Sequence, residues 1–262
     1  MILNSRLIFD SHAHYDDEAF DADRAEVLQK LPELGICNVV NIGSDLISSE
    51  ASIALAAQYP YIYAAVGIHP ECAAGLPQDY LEQLKQMLQA PKVVAIGEIG
   101  LDYHFEDGAP HDVQKQVFES QLILAKEYDL PVIIHNREAH GDTMELLRKY
   151  KPAGVIHCFS GSVEMARELV AMGMYIGLGG VVTFKNVRTP VEVAASIPLD
   201  RLLNETDCPY MTPVPFRGKR CDSSLIPYSA AKIAEVRGTT TEKILAAGKH
   251  NAARLYHINI EE

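Results

Sequence analysis

Short apolar runs alternate with amphipathic stretches along the whole chain. The runs at 7–9, 38–42, 63–68, 93–97, 131–134, 154–156, 175–178 and 201–204 are mostly rich in β-branched residues and lack polar alternation. That is the signature of parallel strands covered on both faces. Between them, Leu81, Leu84 and Leu88 are spaced for one helix face, as are Val117, Leu122 and Ala125, and Met165, Leu169 and Met172. Pro110 stands where a helix should start and Pro91 where one has ended, and Gly35 and Gly173 read as helix stops. About eight strand–helix units in series predict an α/β fold, a TIM-type (β/α)8 barrel forming a single domain over 1–262. A doubly wound open sheet would need a Gly-rich turn after an early strand, and the chain after Phe9 reads Asp-Ser-His-Ala-His instead. There are no repeats and no linker. One long loop, 209–227, follows the eighth strand.

Composition narrows the picture. A length of 262 residues suits a barrel, which needs roughly 250, and 48% apolar residues supply a substantial core. The net charge of −12 argues against a protein that coats duplex nucleic acid, which takes many Lys and Arg. It leaves room for a polyanion held at a small site where metal ions supply the positive charge. Five cysteines, an odd number with no Cys-x-x-Cys pair, predict reduced thiols and a cytoplasmic setting. The first nine residues lack a signal-peptide core, and no apolar run is long enough to span a membrane. No membrane association and no protein partner are expected.

The chemistry concentrates at strand ends. His12 and His14 follow the first run, and residues two apart on an extended segment point to the same side. Taken alone, such a pair is a modest signal. His69 ends the third run, Glu98 the fourth, His135 the fifth, His157 the sixth, and Glu205 and Asp207 the eighth. Burying so many ionisable groups together is costly without a cation, and in a parallel barrel such ends share one face. Imidazoles with carboxylates suit zinc, manganese or iron better than calcium. Glu98, with two oxygens, is placed to bridge two ions about 3.5–4 Å apart, a spacing suited to hydrolysis.

Several segments resemble motifs of the TatD family of metal-dependent deoxyribonucleases. They are Asp-Ser-His-Ala-His at 10–14, Gly-Ile-His-Pro at 67–70, Gly-Glu-Ile-Gly-Leu-Asp-Tyr at 97–103 and His-Cys-Phe-Ser-Gly at 157–161. Glu-Thr-Asp-Cys-Pro-Tyr at 205–210 and Pro-Val-Pro-Phe-Arg-Gly-Lys-Arg at 213–220 complete the set. The resemblance implies a barrel of the metallo-dependent hydrolase superfamily with DNase activity, often as a 3′ exonuclease, so its substrate would be DNA as a single strand or at 3′ ends. It implies two divalent metal ions (Zn, Mn or Mg), one held by His12, His14, Glu98 and Asp207 and the other by Glu98, His135 and His157. His69 and Glu205 match positions tied to activity rather than to the metal shell. The chain departs from the family pattern at Cys221-Asp222-Ser223, where relatives usually read Asn-Glu-Pro, which puts substrate contacts of that loop in question.

The expected reaction is phosphodiester hydrolysis by a metal-activated water, with Asp207, Glu98, His69 and Glu205 as the catalytic set. Arg217, Lys219 and Arg220 form a basic cluster beside Asp207, and Arg137 lies two residues past His135. These four are the candidate phosphate contacts, weighed against a solvated charge cluster and a salt bridge. Asp102 is expected on a loop beyond the fourth strand, in a turn or behind a ligand. Cys158 and Cys208, next to ligands, should point away into packing. The remaining histidines, 104, 111, 140, 250 and 257, read as surface or structural. Rival functions are an amidohydrolase, deaminase or phosphotriesterase on the same barrel, an aminoacyl-tRNA deacylase or other ester or amide hydrolase, and a non-catalytic metal protein. Glu98 stands where many such rivals carry a carboxylated lysine.

Overall fold

The computed structural model describes residues 6–105 and 107–260. Strands and helices alternate among them: β1 (Ile8–Ala13), α1 (Arg24–Lys30), β2 (Ile36–Ile42), α2 (Leu46–Gln58), β3 (Ile62–Val66), α3 (Tyr80–Met87), β4 (Val93–Asp102) and α4 (His111–Tyr128). There follow β5 (Val132–Arg137), α5 (His140–Tyr150), β6 (Gly154–Ile156), α6 (Val163–Ala171), β7 (Tyr175–Leu178), α7 (Thr189–Ser196), β8 (Leu202–Asn204), α8 (Ile226–Arg237) and α9 (Thr241–Leu255). The sheet order is the chain order, and the fold class is the (β/α)8 barrel predicted from the alternation. The chain divides into two compact units, one running Asn41–His157 and the other made of the described residues up to Val40 and from Cys158 onward.

In the unit Asn41–His157, β3, β4, β5 and β6 pair in parallel, with Ala65 beside Ala95, Gly100 beside His135, Asp102 beside Arg137 and Ile134 beside Ile156. Ala64, Ala65, Val66, Ile96, Ile99, Leu101, Ile133 and Ile134 are fully buried. Burial of neighbouring residues on both strand faces explains why these runs show no polar alternation. Helix α4 buries Val117, Phe118, Leu122 and Ala125 against the sheet. It also sends two buried glutamines to the strand ends. Gln121 accepts from the Ile68 N–H and donates to its carbonyl, while Gln114 does the same for Asp102.

In the other unit, β7 and β8 pair in parallel, and Ala13 at the end of β1 pairs in parallel with Cys208 beyond β8. Helix α9 is fixed to this layer by Asn204, which donates to the Ile244 carbonyl, and by the Tyr256 hydroxyl on the Ser11 carbonyl. The expected stop at Gly35 is met: its φ of 92° is a left-handed conformation that glycine adopts without strain.

Several element boundaries differ from the sequence expectation, among them β5, which runs to Arg137, and β3, which ends at Val66. The first strand runs through His12 to Ala13. The fourth runs five residues past its apolar core to Asp102, which therefore lies in a strand and not on a loop. The long loop ends before Pro227, because α8 starts at Ile226 with that proline in its first turn, where a missing N–H costs nothing. Among the described residues, no helix is long and apolar enough to cross a membrane.

Candidate metal centre

The first cluster is built where β1 ends. Strand periodicity puts His12 and His14 on one side, and their Nε2 atoms stand 3.0 Å apart. Asp207 turns back beside them: its N–H donates to the His12 carbonyl, the His14 N–H donates to the Cys208 carbonyl, and Asp207 itself has φ 61°. Its Oδ1 lies 3.6 Å from the Nε2 of each histidine. Four atoms around an ion at bond lengths near 2.1 Å are separated by about 3.4 Å in a tetrahedron and about 3.0 Å in an octahedron. The three ligand-type atoms therefore fit one divalent ion.

Beneath this cluster lies a residue that the sequence reading passed over. Asp10 is fully buried and accepts from the Thr206 N–H at 3.0 Å, the Thr206 hydroxyl at 2.6 Å, the Ser223 hydroxyl at 2.7 Å and the His12 N–H at 3.3 Å. Burial pushes its carboxyl up to about 6, against the lowering pull of those donors. Tyr15 closes the network: its hydroxyl accepts from the Ser223 N–H and lies 2.7 Å from Ser223 Oγ. The departure at Cys221-Asp222-Ser223 is thus an internal tie. Cys221 is buried, Asp222 caps the turn at Ser223–Leu225, and Ser223 anchors the loop on Asp10.

The second cluster belongs to the unit Asn41–His157. Glu98 Oε1 lies 2.9 Å from His135 Nδ1, 2.7 Å from His157 Nε2 and 3.6 Å from His69 Nε2, and His135 Nδ1 is 3.4 Å from His157 Nε2. The two shortest are hydrogen-bond contacts, a little closer than ligands stand around an ion, and His69, Glu98 and His135 group as possible ligands of one ion. The other nitrogen of His135 meets Asp102 Oδ2 at 2.9 Å. A carboxylate behind a histidine in this way fixes its tautomer and ring orientation. Burial works against charge on His135, but its hydrogen bonds to Asp102 and Glu98 outweigh that and raise it to about 9. Burial also opposes charge on Asp102, yet the bond to His135 holds its carboxyl below the usual range.

His69 differs. Burial outweighs the attraction of Glu98 and pushes it down to about 3, so the ring is neutral at neutral pH. Its Nδ1 accepts from the Glu71 N–H, which leaves the proton on Nε2, facing Glu98.

The remaining expected residues are placed as follows. Glu205 is buried, and its Oε1 accepts from the Cys158 N–H at 2.5 Å. Cys208 is buried in packing as expected, and burial first, then the nearby Asp10, lifts its thiol far above the usual value; it stays protonated and is no nucleophile. Cys158 lies past β6, with φ 41°, and is half-buried. Arg217 and Lys219 line an open cavity of about 820 Å³ together with Tyr210, Asp17 and Asp21. Arg217 rests on the Phe184 ring at 3.8 Å and donates to the Thr212 carbonyl. Arg220 lines the same cavity but is bound to both oxygens of Asp23 at 2.7 Å. Arg137 sits over the Phe105 ring at 5.0 Å.

Residues 9–257 match the family model described as TatD related DNase. The chain belongs to the TatD family. It is 44% identical to the uncharacterized metal-dependent hydrolase YabD of Bacillus subtilis, over 97% of this chain and 100% of YabD. It is 34% identical to the 3′-5′ ssDNA/RNA exonuclease TatD of Cronobacter sakazakii, over 95% of this chain and 97% of that protein. The crystal structure of YjjV, a TatD homologue from Escherichia coli, superposes with a TM-score of 0.91 at 33% identity, covering 99% of this chain and 100% of YjjV. The protein is a metal-dependent hydrolase of the TatD family, and the imidazole–carboxylate clusters are its candidate metal ligands.

Proposed function

We propose that this TatD-family hydrolase cleaves phosphodiester bonds at the 3′ ends of single-stranded DNA with two divalent ions. His12, His14 and Asp207 hold one ion, and Glu98, His135 and His157 hold the other. The observation that carries this reading is the convergence of His135 Nδ1 and His157 Nε2 on Glu98 Oε1 at 2.9 and 2.7 Å, a donor set of the chemistry that holds a hydrolytic metal ion. The exonuclease name of the Cronobacter relative supports the choice of substrate. When bound, the ions supply Lewis acidity and bring a water near neutral pKa.

The chain's own residues do the rest. Asp207 orients the attacking water and takes its proton. His69, neutral with its proton on Nε2, donates a hydrogen bond to a phosphoryl oxygen without competing for an ion. Asp102 holds the His135 ring in place, and Glu205 fixes the backbone of Cys158 beside His157. Arg217 and Lys219 contact phosphates, whereas Arg220 is engaged by Asp23. Five cysteines without a disulfide among the described residues support a reducing, cytoplasmic setting.

The test is digestion of a 3′-labelled single strand with Mg²⁺ or Mn²⁺, with and without chelator, beside a 5′-labelled strand and a mischarged tRNA. Loss of nucleotides from the 3′ end that stops with chelator or with Glu98→Ala is the expected result. Full activity of Glu98→Ala with normal metal content sinks the ligand assignment, and deacylation of the tRNA with an intact strand sinks the substrate.

A further inference from the structure

We propose that Phe105 and Arg137 form a nucleotide subsite, in which the Phe105 ring stacks on a nucleobase and the Arg137 guanidinium binds the adjoining phosphate. The inference rests on reading the site as one for nucleic acid and adds to that reading the residues that hold the substrate's base.

The two residues sit at the ends of neighbouring strands. Asp102 and Arg137 are register partners across β4 and β5, and Phe105 follows Asp102 by three. Arg137 lies two residues past His135, so both side chains leave the same face of β5 about 6.6 Å apart along the strand. A group bound at Arg137 is therefore one step from the Glu98–His135–His157 cluster.

Hydrogen bonds tie the described residues beside the ring. Asp102 Oδ1 accepts from the His104 N–H, the Tyr103 N–H donates to the Arg137 carbonyl, and the Gly108 N–H donates to the Phe105 carbonyl. His104 is locked to Glu138 at 2.7 Å and packs edge-on against the Phe105 ring, centroids 4.9 Å apart. Phe105 is 44% exposed. Arg137 is exposed as well, with its guanidinium over the ring. Arg220 also lies over a ring, that of Phe20, but its fork is bound to both oxygens of Asp23. An exposed ring beside a guanidinium is the combination that takes bases of any sequence together with their phosphates.

The chain contains no tryptophan, so Phe105→Trp in the full-length, metal-loaded protein makes the subsite its own fluorescent reporter. Titration with thymidine 5′-monophosphate is expected to give a saturable change in emission. Deoxyribose 5-phosphate, which lacks the base, should give none, and Arg137→Ala should weaken the thymidylate response about tenfold. Phe105→Ala should raise KM on a single strand about tenfold with kcat and metal content unchanged. A tryptophan that thymidylate leaves unmoved, or that the base-free phosphate moves equally, overturns the subsite. The emission requires no turnover. A thymidylate response in a protein that cleaves no strand would keep the subsite and remove the proposed reaction, and an unresponsive tryptophan in an active nuclease would do the reverse.

Discussion

Asp10 is the residue whose chemistry depends most on where it is placed. In sequence it is the first letter of a motif whose histidines draw attention. In the fold it is a buried carboxyl that joins β1, the segment after β8 and the loop at Ser223. A carboxyl raised to about 6 from an ordinary value near 4 binds its proton more tightly folded than unfolded. It therefore contributes about 3 kcal/mol of stability below pH 4, which is lost as the pH rises through 6. In Asp10→Asn this contribution is absent, so the advantage of wild type over the variant should shrink by about 3 kcal/mol between pH 4 and pH 7. Urea unfolding at several pH values measures it, and parallel stability curves would contradict it. In the unit Asn41–His157, Asp102 acts on the Glu98–His135–His157 cluster through His135. Removing the carboxylate in Asp102→Ala should weaken metal binding about 10–100-fold, read by competition with a chromophoric chelator; unchanged affinity would mean that the His135 ring is held by packing alone.

At the scale of elements, β4 carries the greatest difference between expectation and outcome. Its apolar run ends at Gly97, yet the strand continues through Glu98, Ile99, Gly100 and Leu101 to Asp102. Gly100 allows this: it has φ 142°, and a Cβ there would collide with the His135 carbonyl on β5. The close approach brings the Glu98 and Asp102 side chains to the two nitrogens of His135. Gly100→Ala should cost about 2–4 kcal/mol of stability and reduce metal content, measured by chemical unfolding and elemental analysis; a stable variant with full metal content would show that the strand can move apart without loss. Pattern reading located the strands because burial on both faces leaves long apolar runs. It could not place the ends of β1, β4 and β5, since their last residues include polar groups present for chemical reasons and look like loops. The buried glutamines of α4 are hidden for a related reason: on a helix wheel they read as surface, and only their partners at Ile68 and Asp102 reveal them.

At the scale of the molecule, a net charge of −12 leaves little general attraction for a polyanion. Under the proposed reading, affinity for nucleic acid comes from bound cations and from a few placed groups such as Arg137, Arg217 and Lys219. Metal that binds only the folded chain also stabilises it, by about 2.7 kcal/mol per site at a hundredfold excess over Kd. Chelation should lower Tm by about 5–10 °C and abolish hydrolysis, with both restored by added Mn²⁺ or Zn²⁺. Calorimetry and a nuclease assay on one sample check this, and a Tm indifferent to chelator would argue against ligands built into the fold. The sequence by itself determined the alternation that makes a (β/α)8 barrel and the identity of the histidines and carboxylates at the strand ends, because strand periodicity and the cost of burying charge are local properties. Only the tertiary structure decided which atoms meet: Asp207 beside His12 and His14, Asp102 behind His135, Ser223 on Asp10. Those partners are separated by tens to hundreds of residues, and their distances follow from register and packing, which no local pattern records.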